Sequence, residues 1–198
     1  MVPCYVDMAD VRIVNRETLS DKKYRLESIE IEKTSRGQTE TQIREVYFRP
    51  SAASILLHDP ERKTVLLTRQ FRLPVHLSHR KPEMIIEACA GVIDEGELPE
   101  HAVIREVEEE TGYRISEIRQ IAEGFSSPAS FMEYVYFFTG IYSPDLKVNE
   151  GGGKKDEGED IGLVELPASE ARKMLETGQI RDVKTIVLLQ HAIISGII

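Results

Sequence analysis

The chain has 198 residues and a mass of 22.5 kDa, enough for one domain or for a domain with a modest appendage. With 41% hydrophobic, 30% charged and 7% aromatic residues it has an ordinary globular composition, which excludes the collagen-like, disordered and disulfide-scaffold classes. The formal net charge of -9 argues against a nucleic-acid binder, whose surfaces carry basic footprints.

No apolar run approaches the roughly 18–20 residues needed to span a bilayer, and the first residues lack a basic region followed by an apolar stretch. A cytoplasmic protein with no membrane partner is therefore expected. Cys4 and Cys89 form no CxxC pair, so neither a disulfide framework nor a thiolate zinc site is indicated. Cys89 lies in an apolar run and reads as a small buried hydrophobe.

Taken in chain order, the first fifth reads as strands: one around Val11 and Ile13, then 24–33 and 39–48, with Ser35, Arg36 and Gly37 as a turn. The apolar phase slips between Leu26 and Ile29, which fits a bulge in the second strand. Arg49, Pro50 and Ser51 mark a boundary. A hairpin follows at 54–58 and 64–71, and another short strand at 84–90. Between them His76 and His79 stand three apart near Pro74 and Pro82; with no further ligands nearby, a polar loop is expected there rather than a zinc pair. A helix is predicted over 99–111, with Pro99 at its first position and Gly112 just past its end. Strands return at 116–125 and 131–142, a polar loop covers 144–158, and a strand covers 161–166. Helices at 167–177 and 182–194 close the chain, the last apolar on most sides and expected to be buried on a sheet. The mixture indicates an α+β fold rather than a regular βαβ series.

The chemistry is concentrated in residues 91–113. On the predicted helix Glu106, Glu109 and Glu110 fall at i, i+3 and i+4 and share a face, while Val103, Ile104 and Val107 point to another. Like charges at this spacing destabilise a helix by a few tenths of a kcal/mol per pair, so three converging glutamates need a reason. A divalent cation supplies one, because carboxylates are hard oxygen ligands suited to magnesium or manganese. Arg105 lies four residues before Glu109 and can reach back to Glu97, orienting the carboxylates. A glutamate-rich helix is more often only a solvated face, and the flanking spacing decides between the two readings. The order is Gly91, five residues, Glu97, seven residues, Arg105-Glu106-Val107, one residue, Glu109-Glu110, one residue, Gly112-Tyr113. Seven strict positions, each at roughly 7% usage, would coincide by chance at a given start with a probability on the order of 10⁻⁸.

This segment resembles, position for position, the signature of the Nudix hydrolases. The resemblance implies an α/β/α sandwich with a mixed sheet and magnesium-assisted hydrolysis of a nucleoside diphosphate linked to another group. It further implies Glu106, Glu110 and the Ala90 carbonyl as metal ligands, Glu109 as a ligand or catalytic supporter, and Gly91, Glu97, Arg105 and Gly112 as the framework of the loop and helix. Metal ions suit phosphoanhydride cleavage, where charge neutralisation and positioning of water are the main tasks.

The N-terminal strands, the segment Thr68-Arg69-Gln70-Phe71-Arg72, and Ser127-Pro128 resemble the branch of that family acting on sugar nucleotides and ADP-ribose. The glycine-rich acidic stretch Gly151 to Ile161 and the segment Thr177 to Thr185 are closer still to the branch that hydrolyses GDP-mannose to GMP and mannose 1-phosphate. ADP-ribose giving AMP and ribose 5-phosphate is the alternative substrate, and a non-enzymatic module sensing a nucleotide sugar is the alternative of another class. The same resemblance gives Tyr24, Arg44, Glu45, Arg72, Glu133 and Lys184 as substrate contacts. Arg69 and Arg72 differ in strand parity, so both should not face the substrate unless the strand ends between them, and Arg72 is favoured. Glu159 is the expected catalytic acid on a mobile loop, completing the metal site or activating water, and the glycine triplet would let that loop close. The stretch Lys154 to Gly158 is longer than in relatives, which leaves Glu157 as a competitor for the role. Because a few strands cannot cover their own apolar face, residues 1–48 are expected to form a dimerisation region, packed on or exchanged with a second copy, and 49–198 the catalytic domain. In this branch such dimers place the Arg44-Glu45 strand near the partner's site.

The negative charge has an address. Residues 94–110 carry a net -7 and residues 150–160 a net -3, leaving the rest at +1. Two acidic stretches are thus set to meet a cation that reverses the local sign.

Overall fold

The computed structural model describes residues 10–78, 84–154 and 158–198; the expectations placed on Cys4, His79 and Glu157 lie outside the described residues. Two compact units divide the chain. The first takes in the described residues up to Pro50 together with Phe125–Tyr134, the second Ser51–Gly124 with Val135–Ile198.

In the first unit β1 (Asp10–Asp21), β2 (Arg25–Ser35) and β3 (Gln38–Phe48) form an antiparallel sheet in chain order. The β2–β3 turn is made by Arg36 at φ 53 and Gly37 at φ 75, the paired left-handed conformation that matches strand twist in a two-residue hairpin. The bulge expected in β2 is not there. β2 pairs with β3 without a slip from Arg25↔Phe48 to Ser35↔Gln38, and the register shifts lie in the pairing of β1 with β2, between Ile13 and Asn15 and between Thr18 and Ser20. The apolar phase slips for another reason: a carboxylate takes a core-facing position. Glu27 is buried, with Arg16 Nη2 at 2.6 Å and Arg25 Nε at 3.0 Å, and both guanidinium groups lie over the Phe48 ring.

The second unit is built on a mixed sheet. Among its described strands are β4 (Ala52–Asp59), β5 (Thr64–Phe71), β6 (Met84–Glu87), β7 (Cys89–Val92), β8 (Ile118–Phe125), β9 (Tyr134–Ile141) and β10 (Gly162–Pro167). The main path runs β10-β5-β4-β9-β8, with β4 parallel to β9. β4 and β5 pair over Leu57–Asp59 with Leu66–Thr64 and then diverge. The strand expected at 84–90 fills the fork by breaking in two: β6 pairs with the end of β5 and β7 with the start of β4. The break at Ala88 sends residues 84–87 and 89–92 to different neighbours, and this sets the site.

Alternation along β4 assigns its two faces. Ala53, Ile55 and Leu57 pack with Val103 and Val107 of α2 (Pro99–Thr111), while Leu56, with Val65 and Leu67 of β5, packs with Leu188 and Leu189 of α4 (Val183–Ile194) and Met174 of α3 (Ala168–Glu176). One helix covers one face and two cover the other, the α/β/α sandwich with a mixed sheet expected from the sequence. No helix of the described residues is long and apolar enough to cross a membrane. One element differs: α1 (Leu73–Leu77) stands where a polar loop was expected, and it holds His76. It is a single turn, with Pro74 in its first turn and no buried residue, too short to show a 3.6-residue period.

The start of α4 is fastened to the β6–β7 break. Asp182 accepts hydrogen bonds from Thr185 N at 2.9 Å and Thr185 Oγ1 at 2.7 Å, and Thr185 Oγ1 accepts one from the buried Ala88 N–H at 2.7 Å. Thr185→Val keeps the shape but leaves the Ala88 donor orphaned, a cost of about 1–3 kcal/mol. Urea unfolding is expected to show a lower midpoint at unchanged slope; an unchanged midpoint would mean that the fastening contributes nothing.

Candidate active site

The loop entering α2 and the helix itself are bound into one piece by Arg105. Its Nε and Nη2 meet the two Glu97 carboxylate oxygens at 3.0 and 2.9 Å, Nη2 also reaches Val92 O at 3.0 Å, and Nη1 meets Glu106 Oε1 at 2.7 Å and Glu109 Oε2 at 3.1 Å. This is the planar fork used on both edges, which a lysine could not reproduce. The hydrogen bond from Arg105 holds the Glu97 carboxyl below its ordinary range. Gly91 opposite lets the helix approach: a Cβ there would stand 1.9 Å from Glu106 Cδ.

Glu110 is the unusual member. It is 3% exposed, lies beside the Cys89 thiol and the Ala90 main chain, and leaves Oε2 without a partner. Burial pushes its carboxyl up to about 8, with the Cys89 thiol pulling the other way and the charges of Glu106 and Glu159 adding to the rise. Burial also raises Glu106, against the pull of Arg105. The Cys89 thiol is pushed up by its own burial and by Glu110, so this cysteine is buried as expected but next to a charge.

The polar loop returns to the end of α2. Gly112 at φ 77 closes the helix, and the segment after it is strapped back: Val148 N donates to Gly112 O at 2.8 Å, Gly152 N to Glu110 O at 2.8 Å and Gly153 N to Glu109 O at 3.1 Å. Gly151, Gly152 and Gly153 all have positive φ. Gly151 provides close approach to the helix terminus, where a Cβ would stand 2.5 Å from Glu110 O, and a Cβ at Gly153 would stand 2.5 Å from Glu159 Oε2. The Glu159 carboxylate accepts the Lys154 N–H at 2.8 Å, and the Lys154 ammonium meets Glu109 at 3.1 Å. Sequence reasoning passed over Lys154, whose only signal was its place in the longer loop.

Glu97, Glu106, Glu109, Glu110 and Glu159 thus face two cations, Arg105 and Lys154. Among the described residues no three His, Cys, Asp or Glu side chains converge at metal-ligating spacing; Arg105 and Lys154 draw the carboxylates of Glu106 and Glu109 toward themselves. The donor set nevertheless fits a hard divalent cation, because among the described residues the buried Glu110 Oε2 has no hydrogen-bond partner and the cluster holds more carboxyl groups than cations.

Of the residues expected at the substrate, Arg72 and Lys184 are brought together by one the sequence reading missed. Glu87, 5% exposed, has Arg72 Nε at 2.8 Å and Lys184 Nζ at 3.9 Å, and Lys184 also meets Asp182 at 2.7 Å. Burial raises the Glu87 carboxyl, and Arg72 and Lys184 oppose the rise. β5 ends at Phe71, between the two arginines, and Arg69 lines a cavity of about 430 Å³ with Arg181, Met84 and Met174 that includes none of the acidic cluster. Tyr24, Arg44, Glu45 and Glu133 belong to the first unit. There Tyr24 stacks edge-on with Tyr47 and lies under Arg49, which pairs with Glu133 at 3.2 Å. Arg44 and Glu45 are exposed on β3, the Arg44 guanidinium turned to Ile43 O and Gln42.

Comparison with known proteins agrees with this geometry. Residues 48–187 match the NUDIX domain, and residues 10–47 match the GDP-mannose pyrophosphatase NudK N-terminal domain. The chain is 42% identical over 187 residues to a GDP-mannose pyrophosphatase of Pectobacterium atrosepticum, covering 94% of this chain and 95% of the relative. It is 40% identical over 182 residues to that of Escherichia coli strain K12, covering 91% and 94%. The fold is shared with a crystal structure of an ADP compounds hydrolase at a TM-score of 0.68, 21% identity and 90% coverage of both chains. With the spacing from Gly91 to Gly112, the sandwich around β4 and these matches in accord, the chain belongs to the Nudix family of hydrolases, enzymes that generally work with a divalent metal.

Proposed function

We propose that the chain hydrolyses the pyrophosphate bond of GDP-mannose, giving GMP and mannose 1-phosphate, with Mg²⁺ as the cation and Mn²⁺ able to replace it. What carries the substrate is the likeness to GDP-mannose pyrophosphatases over more than nine tenths of the chain, extending into the N-terminal strands. Glu106, Glu110 and the Ala90 carbonyl would hold the cation, with Glu109 beside them. The cation would supply neutralisation of the diphosphate and polarisation of its oxygens. Arg105 would hold the carboxylates of Glu97, Glu106 and Glu109 in place. Glu159, held by the Lys154 N–H, would take the proton of the attacking water; Glu157, outside the described residues, is the competitor for that task. Arg72 and Lys184, gathered at Glu87, would meet phosphate, Arg72 through the guanidinium nitrogens that Glu87 leaves free.

The first unit gives the proposed dimer. Val11 and Ile13 are exposed large apolar residues on one face of its sheet and Ile43 on the other, and a three-stranded sheet that leaves apolar side chains uncovered calls for a further layer. Residues 1–48 would join two copies, residues 49–198 would carry the catalytic machinery, and Tyr24, Arg44, Glu45 and Glu133 would serve the substrate from the first unit.

Incubating the protein with GDP-mannose, ADP-ribose and other nucleotide sugars at saturating Mg²⁺ is expected to give the highest kcat/KM for GDP-mannose, with GMP as product. A higher value for ADP-ribose would overturn the substrate, and no turnover of any would favour the sensing module. Light scattering is expected to return twice the chain mass; a fully active monomer would sink the dimer.

A further inference from the structure

Three main-chain hydrogen bonds fix the backbone next to Lys154: Gly152 N to Glu110 O, Gly153 N to Glu109 O, and Lys154's own N–H to the Glu159 carboxylate. The side chain is 41% exposed and extends to Glu109 Oε2, the oxygen that Arg105 Nη1 also meets. The ammonium therefore adds a second positive charge at the acidic cluster, within electrostatic reach of Glu106. It does with a single charge, on a four-carbon stem, what a divalent cation would do with two. Arg105 differs: it is bound at five points and is the less exposed of the two cations.

We propose that Lys154 is a displaceable counter-ion of the acidic cluster and a positioning residue for the reaction. It holds Glu109 while no divalent cation is bound; when the cation takes that carboxylate, the ammonium is released and turns to the diphosphate of the substrate. This rests on the reading of Glu106, Glu109 and Glu110 as the metal site. A half-exposed lysine–carboxylate pair shifts an equilibrium by no more than about five-fold, weak enough for a divalent cation to displace and strong enough to measure. The released side chain stays in the site because its main chain is strapped to α2.

The test is Mn²⁺ binding to the full chain by calorimetry, with steady-state kinetics on GDP-mannose at saturating Mn²⁺. Lys154→Met is expected to bind Mn²⁺ about two- to five-fold more tightly and to show a several-fold higher KM, with kcat within about two-fold of the parent. Lys154→Arg should keep the parental Mn²⁺ affinity. Lys147→Met, which removes a charge from the same loop where it pairs with the exposed Glu150, should leave both quantities unchanged. Equal Mn²⁺ affinity in Lys154→Met and the parent, the same tightening in Lys147→Met, or an unchanged KM each overturns the proposal. Failure of the metal reading itself shows separately, as a parental Mn²⁺ affinity that Glu110→Gln does not weaken.

Discussion

Replacing Glu110 by glutamine is expected to reduce kcat by about 10²-fold or more, the loss of several kcal/mol of charge stabilisation at a metal, while the metal-free protein stays folded and gains stability at neutral and higher pH. Glutamine keeps the volume and removes the charge of a side chain that is 3% exposed, with one oxygen unpartnered. The pH dependence follows from the carboxyl being pushed up to about 8 from 4.5, first by burial and then by Glu106 and Glu159, with Cys89 opposing. A raised folded-state value means that the folded chain keeps a proton which the unfolded chain releases. The stability Glu110 contributes is therefore complete below about pH 4.5 and is lost as the pH rises through about 8. Over that window the metal-free parent should lose stability on the order of a few kcal/mol more than Glu110→Gln, read by urea unfolding in a chelator between pH 5 and 8.5. Added Mg²⁺ should stabilise the parent most at the upper end of that window, where the carboxylate is ionised and no proton competes with the cation, because binding to the folded state adds directly to its stability. Parallel curves for the two proteins, or unchanged kcat at saturating Mg²⁺, would refute the role given to Glu110.

Glu110 also marks the limit of what was legible in the sequence. Its helix was readable to the residue, because Pro99 and Gly112 punctuate it and Val103 and Val107 give its buried face. The spacing from Gly91 to Gly112 carried the family because it encodes a geometry: Gly91 for close approach, Arg105 for a fork reaching Glu97, Glu106 and Glu109. Contacts between distant segments were not readable. Glu87 resembles any strand-end carboxylate until Arg72, fifteen residues earlier, and Lys184, nearly a hundred later, close on it. Glu27 disturbs the apolar pattern of β2 in the way a bulge would, because a carboxylate buried with two arginines leaves the same gap in the alternation. Cys89 looked apolar because its neighbours in sequence are; its neighbour in space is Glu110. The glycine triplet was read as slack from composition alone, whereas the three positive φ values and the bonds to Glu109 and Glu110 make it a fitted strap.

The second large effect is expected at Gly112, where helix and strap meet. Alanine there must adopt φ 77, and its Cβ would stand 2.1 Å from Asn149 O, 2.7 Å from Asn149 C and 2.9 Å from Gly151 N. These are backbone atoms, so no side chain can swing aside; the strap itself must move. The left-handed conformation costs about 1–2 kcal/mol without glycine. Loosening the bonds to Gly112 O and Glu110 O adds about 0.5–1.5 kcal/mol each, so Gly112→Ala is expected to destabilise the protein by about 2–5 kcal/mol. The decisive comparison is Gly178→Ala. Gly178 has nearly the same φ, 71, but no atom within 4 Å of its Cβ position. It should pay the conformational cost alone, about 1–2 kcal/mol, and keep the parental kcat. Gly112→Ala should in addition lose most turnover at temperatures where it is fully folded, because the strap brings Lys154 and Glu159 to the glutamates of α2. Parental kcat in folded Gly112→Ala would show that the strap positions nothing the reaction uses. A loss of kcat equal in the two variants would trace the effect to stability, and not to the junction of helix and loop.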